Sequence, residues 1–307
     1  MGTYEEVTTL NKIIEKSKSL IEGEYRLNFN LQTKFDIEII ANETFSYEAQ
    51  LATDFQNSKK PDHLYINHGE FIKENGVTHL IEELKKKKNS NRALLSLINQ
   101  DDIVDSNDDP IPSLMVVQCS VEEGNKLYFT FYFRALEVSK FLKINLEEMR
   151  IIVNQIKEEF QDIDEVYLDI FAFRAYIDEN INPLIKTKFE IIADTDTGSA
   201  ELLILLNNPK KDFIPLLDTI SKHNSTIVNS KPFELLLKLV TDSKFCKNLS
   251  DYITSPFSQK IIQTIIDKSK EIKRLRERDS HNPKLKTLYL DYQKHIGELI
   301  NEIAKIN

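Results

Sequence analysis

Apolar positions in the first forty residues follow two rhythms. From Leu10 to Ile21 they recur at helical spacing, and the following "YRLNFNLQTKFDIEII" alternates with period two, so a helix leading into a half-buried strand is predicted. Residues 52–62, "ATDFQNSKKPD", are polar around a proline and predict a loop. "THLIEELKKKK" predicts a helix with Leu80, Ile81 and Leu84 on one stripe and lysines at the end that suits the helix dipole. "NRALLSLIN" predicts a strand. "QDDIVDSNDDPIP" predicts a surface loop, because Asp, Asn and Pro disfavour strands.

From Ser113, "SLMVVQCSVEEGNKLYFTFYFRALEVSKFLKIN" holds two β-branched and aromatic runs around a turn at Gly124, a pair of strands. "NLEEMRIIVNQIKEEF" predicts an amphipathic helix beginning near Asn145, with Met149, Ile152, Val153 and Ile156 on one face. "EVYLDIFAFRAYI" predicts another strand. Beyond about residue 195 the pattern is mostly helical, although "TDTGSAELLILLNNPKKDF" fits either a short strand or a buried helix. Apolar stripes from Ile261 to Leu275 and from Leu285 to Ile306, separated by "RDSHNP", predict a helical hairpin. The fold class expected is α/β (α+β), a central sheet with flanking helices plus a helical C-terminal extension. Its three parts are an N-terminal helix and strand joining the sheet (1–60), the core (61–195) and the helical region (196–307).

At 307 residues the chain can bury a sizeable core. Cys119 and Cys246 lie far apart without metal-type spacing and no leader pattern opens the chain, so a cytoplasmic location is expected. No window approaches the roughly 20 apolar residues of a membrane span. The net charge of −9 argues against nucleic acid and for small or protein partners. None of the seven glycines forms a G-x-x-x-x-G-K-S/T or G-x-G-x-x-G loop. His63, His68, His79, His223, His281 and His295 show no ligand spacing, so neither metal nor cofactor is expected. The basic stretch "KSKEIKRLRERD" interleaves with acids and reads as a solvated helix face.

Between about residues 70 and 190 the order of motifs resembles thymidylate synthase and the related pyrimidine nucleotide hydroxymethylases. "HLIEELKKKKNSNRALLSLIN" looks like that family's helix and arginine strand, with Arg92 at the second position of an arginine pair. "PIPSLMVVQC" matches the nucleophile segment, with Gln118 in step. "YFRALEVSKFLKIN" matches the glutamine-arginine-serine segment, so that Arg134 takes the arginine position and Asn145 the asparagine position. "LDIFAFRAYIDENINPL" looks like the histidine-x-tyrosine strand and keeps Tyr176. The resemblance implies a homodimer formed through the sheet. It also implies a phosphate clamp made of Arg134 and Arg92 from opposite subunits, with Asn145, Tyr176 and Gln118 around base and sugar.

The departures concern catalysis. Ser113 stands at the family's nucleophilic cysteine and Leu114 at the neighbouring histidine; Arg174 replaces the later histidine and Ala135 the serine after the phosphate arginine. A serine hydroxyl needs an adjacent base, and none is evident. Several of these residues keep a second reading: Arg134 as an ion-pair partner of Glu137, Asn145 as a helix N-cap, Tyr176 as a core aromatic, Arg174 as a surface cation and Cys119 as core packing.

The expected function is therefore a catalytically inactive thymidylate-synthase-like protein that binds a nucleotide or deoxynucleoside monophosphate as a sensor or regulatory subunit. Two alternatives stand beside it. One is an interaction or scaffold protein without ligand, recruiting a partner protein through the C-terminal helices. The other is a nucleotide C5-transferase with a non-standard nucleophile, Ser113 or Cys119.

Overall fold

A computed structural model describes residues 4–72, 76–106, 109–123, 125–182, 184–223, 227–246, 249, 251–279 and 282–305. The turn at Gly124, His281, Ile306 and the side chain of Cys246 lie outside the described residues. The chain divides into two compact units, residues 1–61 with 66–183 and residues 62–65 with 184–307.

The first unit contains β1 (Glu5–Glu6), α1 (Leu10–Ser19), β2 (Tyr25–Asp36), α2 (Ile37–Asn42), α3 (Ser46–Gln56), α4 (Gly76–Lys86), β3 (Leu94–Ser96), α5 (Gln100–Asp105), β4 (Leu114–Glu122), β5 (Lys126–Glu137), α6 (Phe141–Glu159) and β6 (Glu165–Tyr176). The six strands form one mixed sheet in the order β1-β2-β6-β5-β4-β3, so the fold is α/β. β5 and β6 run parallel with α6 crossing between them, while β2–β6, β4–β5 and β3–β4 are antiparallel.

Alternation along the strands decides which face is buried. In β5, Leu127, Phe129, Phe131 and Phe133 are at most 1% exposed, and in β6 Val166, Leu168, Ile170 and Ala172 are fully buried. They share a core with Leu10 and Ile13 of α1, Leu80 and Leu84 of α4, and Met149, Val153 and Ile156 of α6. The intervening residues of the same strands stay half-buried or exposed.

Three local expectations are corrected, and a fourth, the strand in "NRALLSLIN", is met over a shorter span. The segment expected as a loop over 52–62 begins inside α3, because Leu51, Ala52 and Phe55 complete a buried stripe that a window starting at 52 cuts in two. The acidic segment holds the short α5, opened by an Asn99–Asp102 capping box, rather than loop alone. The strand expected to run to Ile40 stops at Asp36, whose side chain accepts from the Glu38 amide and caps α2. "NRALLSLIN" contributes a strand of three residues, Leu94–Ser96.

The second unit is helical: α7 (Lys188–Asp194), α8 (Gly198–Leu206), a π-helical turn (Pro209–Phe213), α9 (Ile214–Ser221), α10 (Lys231–Thr241), α11 (Ser243–Cys246), α12 (Asp251–Thr254), α13 (Pro256–Arg278) and α14 (Lys284–Ala304). Its core strings Phe189, Phe213, Phe233 and Tyr292 in edge-to-face contacts 5.3 to 6.3 Å apart. Helices α13 and α14 form the hairpin that the apolar stripes predict.

Candidate functional site

Register places the site residues relative to one another. Leu94, Gln118, Thr130, Asp169 and Gln32 are successive Cα partners across β3, β4, β5, β6 and β2 and share the open face of the sheet. Arg134 lies four residues further along β5, and Arg92 precedes Leu94 by two in the opposite direction. At about 3.3 Å per residue the two arginines stand roughly 20 Å apart within one chain. A shared phosphate is out of reach for both within one chain and needs a second copy.

Arg134 donates from Nε to the Pro112 carbonyl at 3.1 Å and from Nη2 to the Ile111 carbonyl at 3.0 Å. Its amide bonds the Ser113 carbonyl at 3.0 Å. The guanidinium therefore pins the segment before β4 to the sheet. Desolvation lowers its pKa from the ordinary arginine value. The expected alternative pairing with Glu137 is replaced by another arrangement. The Glu137 carboxylate, 2% exposed, accepts from the amides of Ser139 (2.7 Å), Lys140 (2.7 Å), Phe141 (3.1 Å) and Asp178 (3.1 Å) and from the Ser139 hydroxyl.

That carboxylate also explains why Asn145 is not an N-cap. By taking the donors ahead of the first turn, Glu137 lets α6 begin at Phe141, four residues before the start expected. Asn145 then lies in the second turn, 5% exposed, and donates from Nδ2 to Glu148 Oε2 at 3.0 Å. The other oxygen of Glu148 meets His68 Nδ1 at 2.7 Å, with side chains 7% and 3% exposed. His68 is held by its own loop, where the amides of His68 and Gly69 both bond the Phe55 carbonyl (2.7 and 2.8 Å), while Phe55 contacts the imidazole edge-on at 5.2 Å. Next door, Glu147 is fully buried, accepting from the Phe45 amide at 2.6 Å and from Arg150 Nε at 2.7 Å. The buried network Asn145–Glu148–His68 escaped the sequence reading. One signal was available: Glu148 falls on the same helical stripe as Met149 and Ile152.

The remaining candidates sit apart from that network. Gln118 donates to the Asn91 carbonyl at 3.2 Å, steadying the turn that carries Arg92, which is exposed and has no carboxylate within ion-pair reach among the described residues. Tyr176 ends β6, paired with Tyr25 and Glu137, and its carbonyl accepts from Val138. Arg174 lies over the Tyr25 ring at 4.1 Å, a cation–π contact. Ser113 is half-buried at the entry to β4, and its hydroxyl meets neither histidine nor acid among the described residues. Cys119 faces the core, where burial drives its thiol pKa far above the ordinary range, so a thiolate nucleophile is not available there.

The open face of the sheet is rich in aromatics. Tyr128 and Tyr167 stack at 4.7 Å with Tyr4 edge-on, Tyr132 and Phe171 stack at 5.1 Å, and Phe173 beside them is 52% exposed. Within it, Asp169 accepts from Gln32 at 2.9 Å through one oxygen, while the other is buried with no donor among the described residues.

In the second unit, Glu190 closes a capping box with Thr187 and accepts from the Tyr65 hydroxyl. It lines a cavity of about 30 Å³ with His223, Asn229, Tyr289, Tyr292 and Gln293, room for one or two waters. His223 Nε2 is buried there with no partner among the described residues, and desolvation lowers its pKa against the pull of Glu190.

Among the described residues, no group of three His, Cys, Asp or Glu side chains is placed to hold a metal ion, and no helix is long and apolar enough to cross a membrane. No protein-family model matches the chain, and no curated protein matches its sequence.

Proposed function

We propose that this chain is an interaction protein rather than an enzyme: a subunit that pairs with a second copy through the open face of its sheet. The observation carrying the reading is the exposed aromatic stripe of β5 and β6, with Tyr132 37% and Phe173 52% exposed. β2, β4, β5 and β6 have 12, 9, 12 and 12 residues, and with strands about 4.8 Å apart they span roughly 700 Å². That approaches the roughly 800 Å² each partner contributes to a stable interface. Light scattering tests the reading: it calls for twice 35.7 kDa at micromolar concentration, and the mass of one chain would reject it.

A nucleotide-binding reading keeps one specific support. The Arg134 guanidinium bonds backbone carbonyls alone, so its charge is balanced by no carboxylate among the described residues. Calorimetry with deoxynucleoside monophosphates decides it. Binding lost in Arg134→Ala would favour the nucleotide, and silence across the panel leaves the interaction protein alone.

A further inference from the structure

Net charge conceals an uneven distribution. Of the 40 basic and 49 acidic residues, the first unit holds 20 and 32 and the second 20 and 17, so the units carry −12 and +3. The excess in the second unit concentrates where α13 turns into α14. Between residues 268 and 286 eight lysines and arginines face three acids, Glu271, Glu277 and Asp279.

Some of these cations are neutralised. Lys268 pairs with Glu271 at 3.1 Å, and Lys270 with Glu234 at 2.8 Å. Arg274, Arg278, Lys284 and Lys286 are exposed, and no carboxylate among the described residues reaches them. Arg274 and Arg278 lie one helical turn apart near the end of α13, and Lys284 and Lys286 begin α14, so all four gather at one end of the hairpin. The carbonyl end of α13 favours Arg278, whereas Lys284 stands at the amide end of α14, where the helix dipole disfavours a cation and an anion would offset it.

We propose that this end of the hairpin binds the phosphate backbone of a nucleic acid. Protein interfaces are anchored by buried aromatic and apolar side chains and are poor in lysine, whereas these four cations have no exposed aromatic among them. Two arginines can each grip a phosphate bidentately, and the lysines add point charges without demanding a sequence. The surface is independent of the sheet-face pairing, and a monomer would show it equally.

Fluorescence anisotropy with short fluorescein-labelled DNA and RNA duplexes tests the proposal. Four phosphate contacts predict a slope of log K against log salt of about −3.6 on DNA. The double variant Arg274→Glu/Arg278→Glu should bind at least about tenfold more weakly and flatten that slope by about 2. Lys210→Glu/Lys211→Glu, which removes the same charge from exposed positions elsewhere in the unit, should leave binding within about twofold. Binding to either duplex with that contrast supports the proposal. No binding to both duplexes at low salt, equal loss in the two variants, or equally tight binding of labelled poly-glutamate would overturn it.

Discussion

Glu137 and Arg134 lie three residues apart at the end of β5, yet their roles are separate: the carboxylate gathers four backbone amides while the guanidinium holds two carbonyls. Removing the acid leaves buried donors unpaired, so Glu137→Ala should cost about 3 kcal/mol in urea unfolding, whereas Arg134→Ala, freeing carbonyls near water, should cost about 1 kcal/mol. A double variant costing clearly less than the sum of the two would mean that they act as a pair. His68→Ala likewise strands one oxygen of Glu148 in the interior and should cost about 3 kcal/mol in the same assay. His223 behaves differently because its folded pKa lies below the ordinary 6.5. Between those two values the unfolded chain takes up a proton that the folded one refuses, so stability is full above pH 6.5 and declines as pH falls below it. Unfolding midpoints at pH 7.5 and 5.5 should show a drop in the wild type that shrinks in His223→Gln; an unchanged drop would place the effect elsewhere.

Among elements, β5 was readable because its phenylalanines alternate strictly, and α13 and α14 because their stripes run over many turns. What escaped depends on partners distant in the chain. The start of α6 is set by a carboxylate in the preceding strand end, and Glu148 meets His68 across eighty positions, which no local pattern encodes. The carbonyl partners of Arg134 were equally invisible, since every residue has one. The loop carrying His68 also needs Gly69: a Cβ there would stand 2.0 Å from the Asn57 carbonyl oxygen. Gly69→Ala should therefore lower stability by about 3 kcal/mol. Its ¹⁵N-HSQC spectrum should show displaced peaks around residues 55–70, whereas Gly23→Ala, with open space around it but φ at +83°, should show only local strain.

At the scale of the whole molecule, a single net charge of −9 averaged an acidic α/β unit with a basic helical one, which is why the sequence total argued against a polyanionic partner. The open sheet face was legible only as alternation; that its outward positions carry stacked aromatics across β5 and β6 follows from register. Pairing of two copies through those rings is the central claim. Sedimentation equilibrium on the wild type, on Tyr132→Glu/Phe173→Glu and on Leu290→Glu, an exposed position in the helical unit, tests it most directly. The account predicts a dimer for the wild type and Leu290→Glu and a folded monomer for the sheet-face variant; a dimer that survives both charges on the sheet face would contradict it.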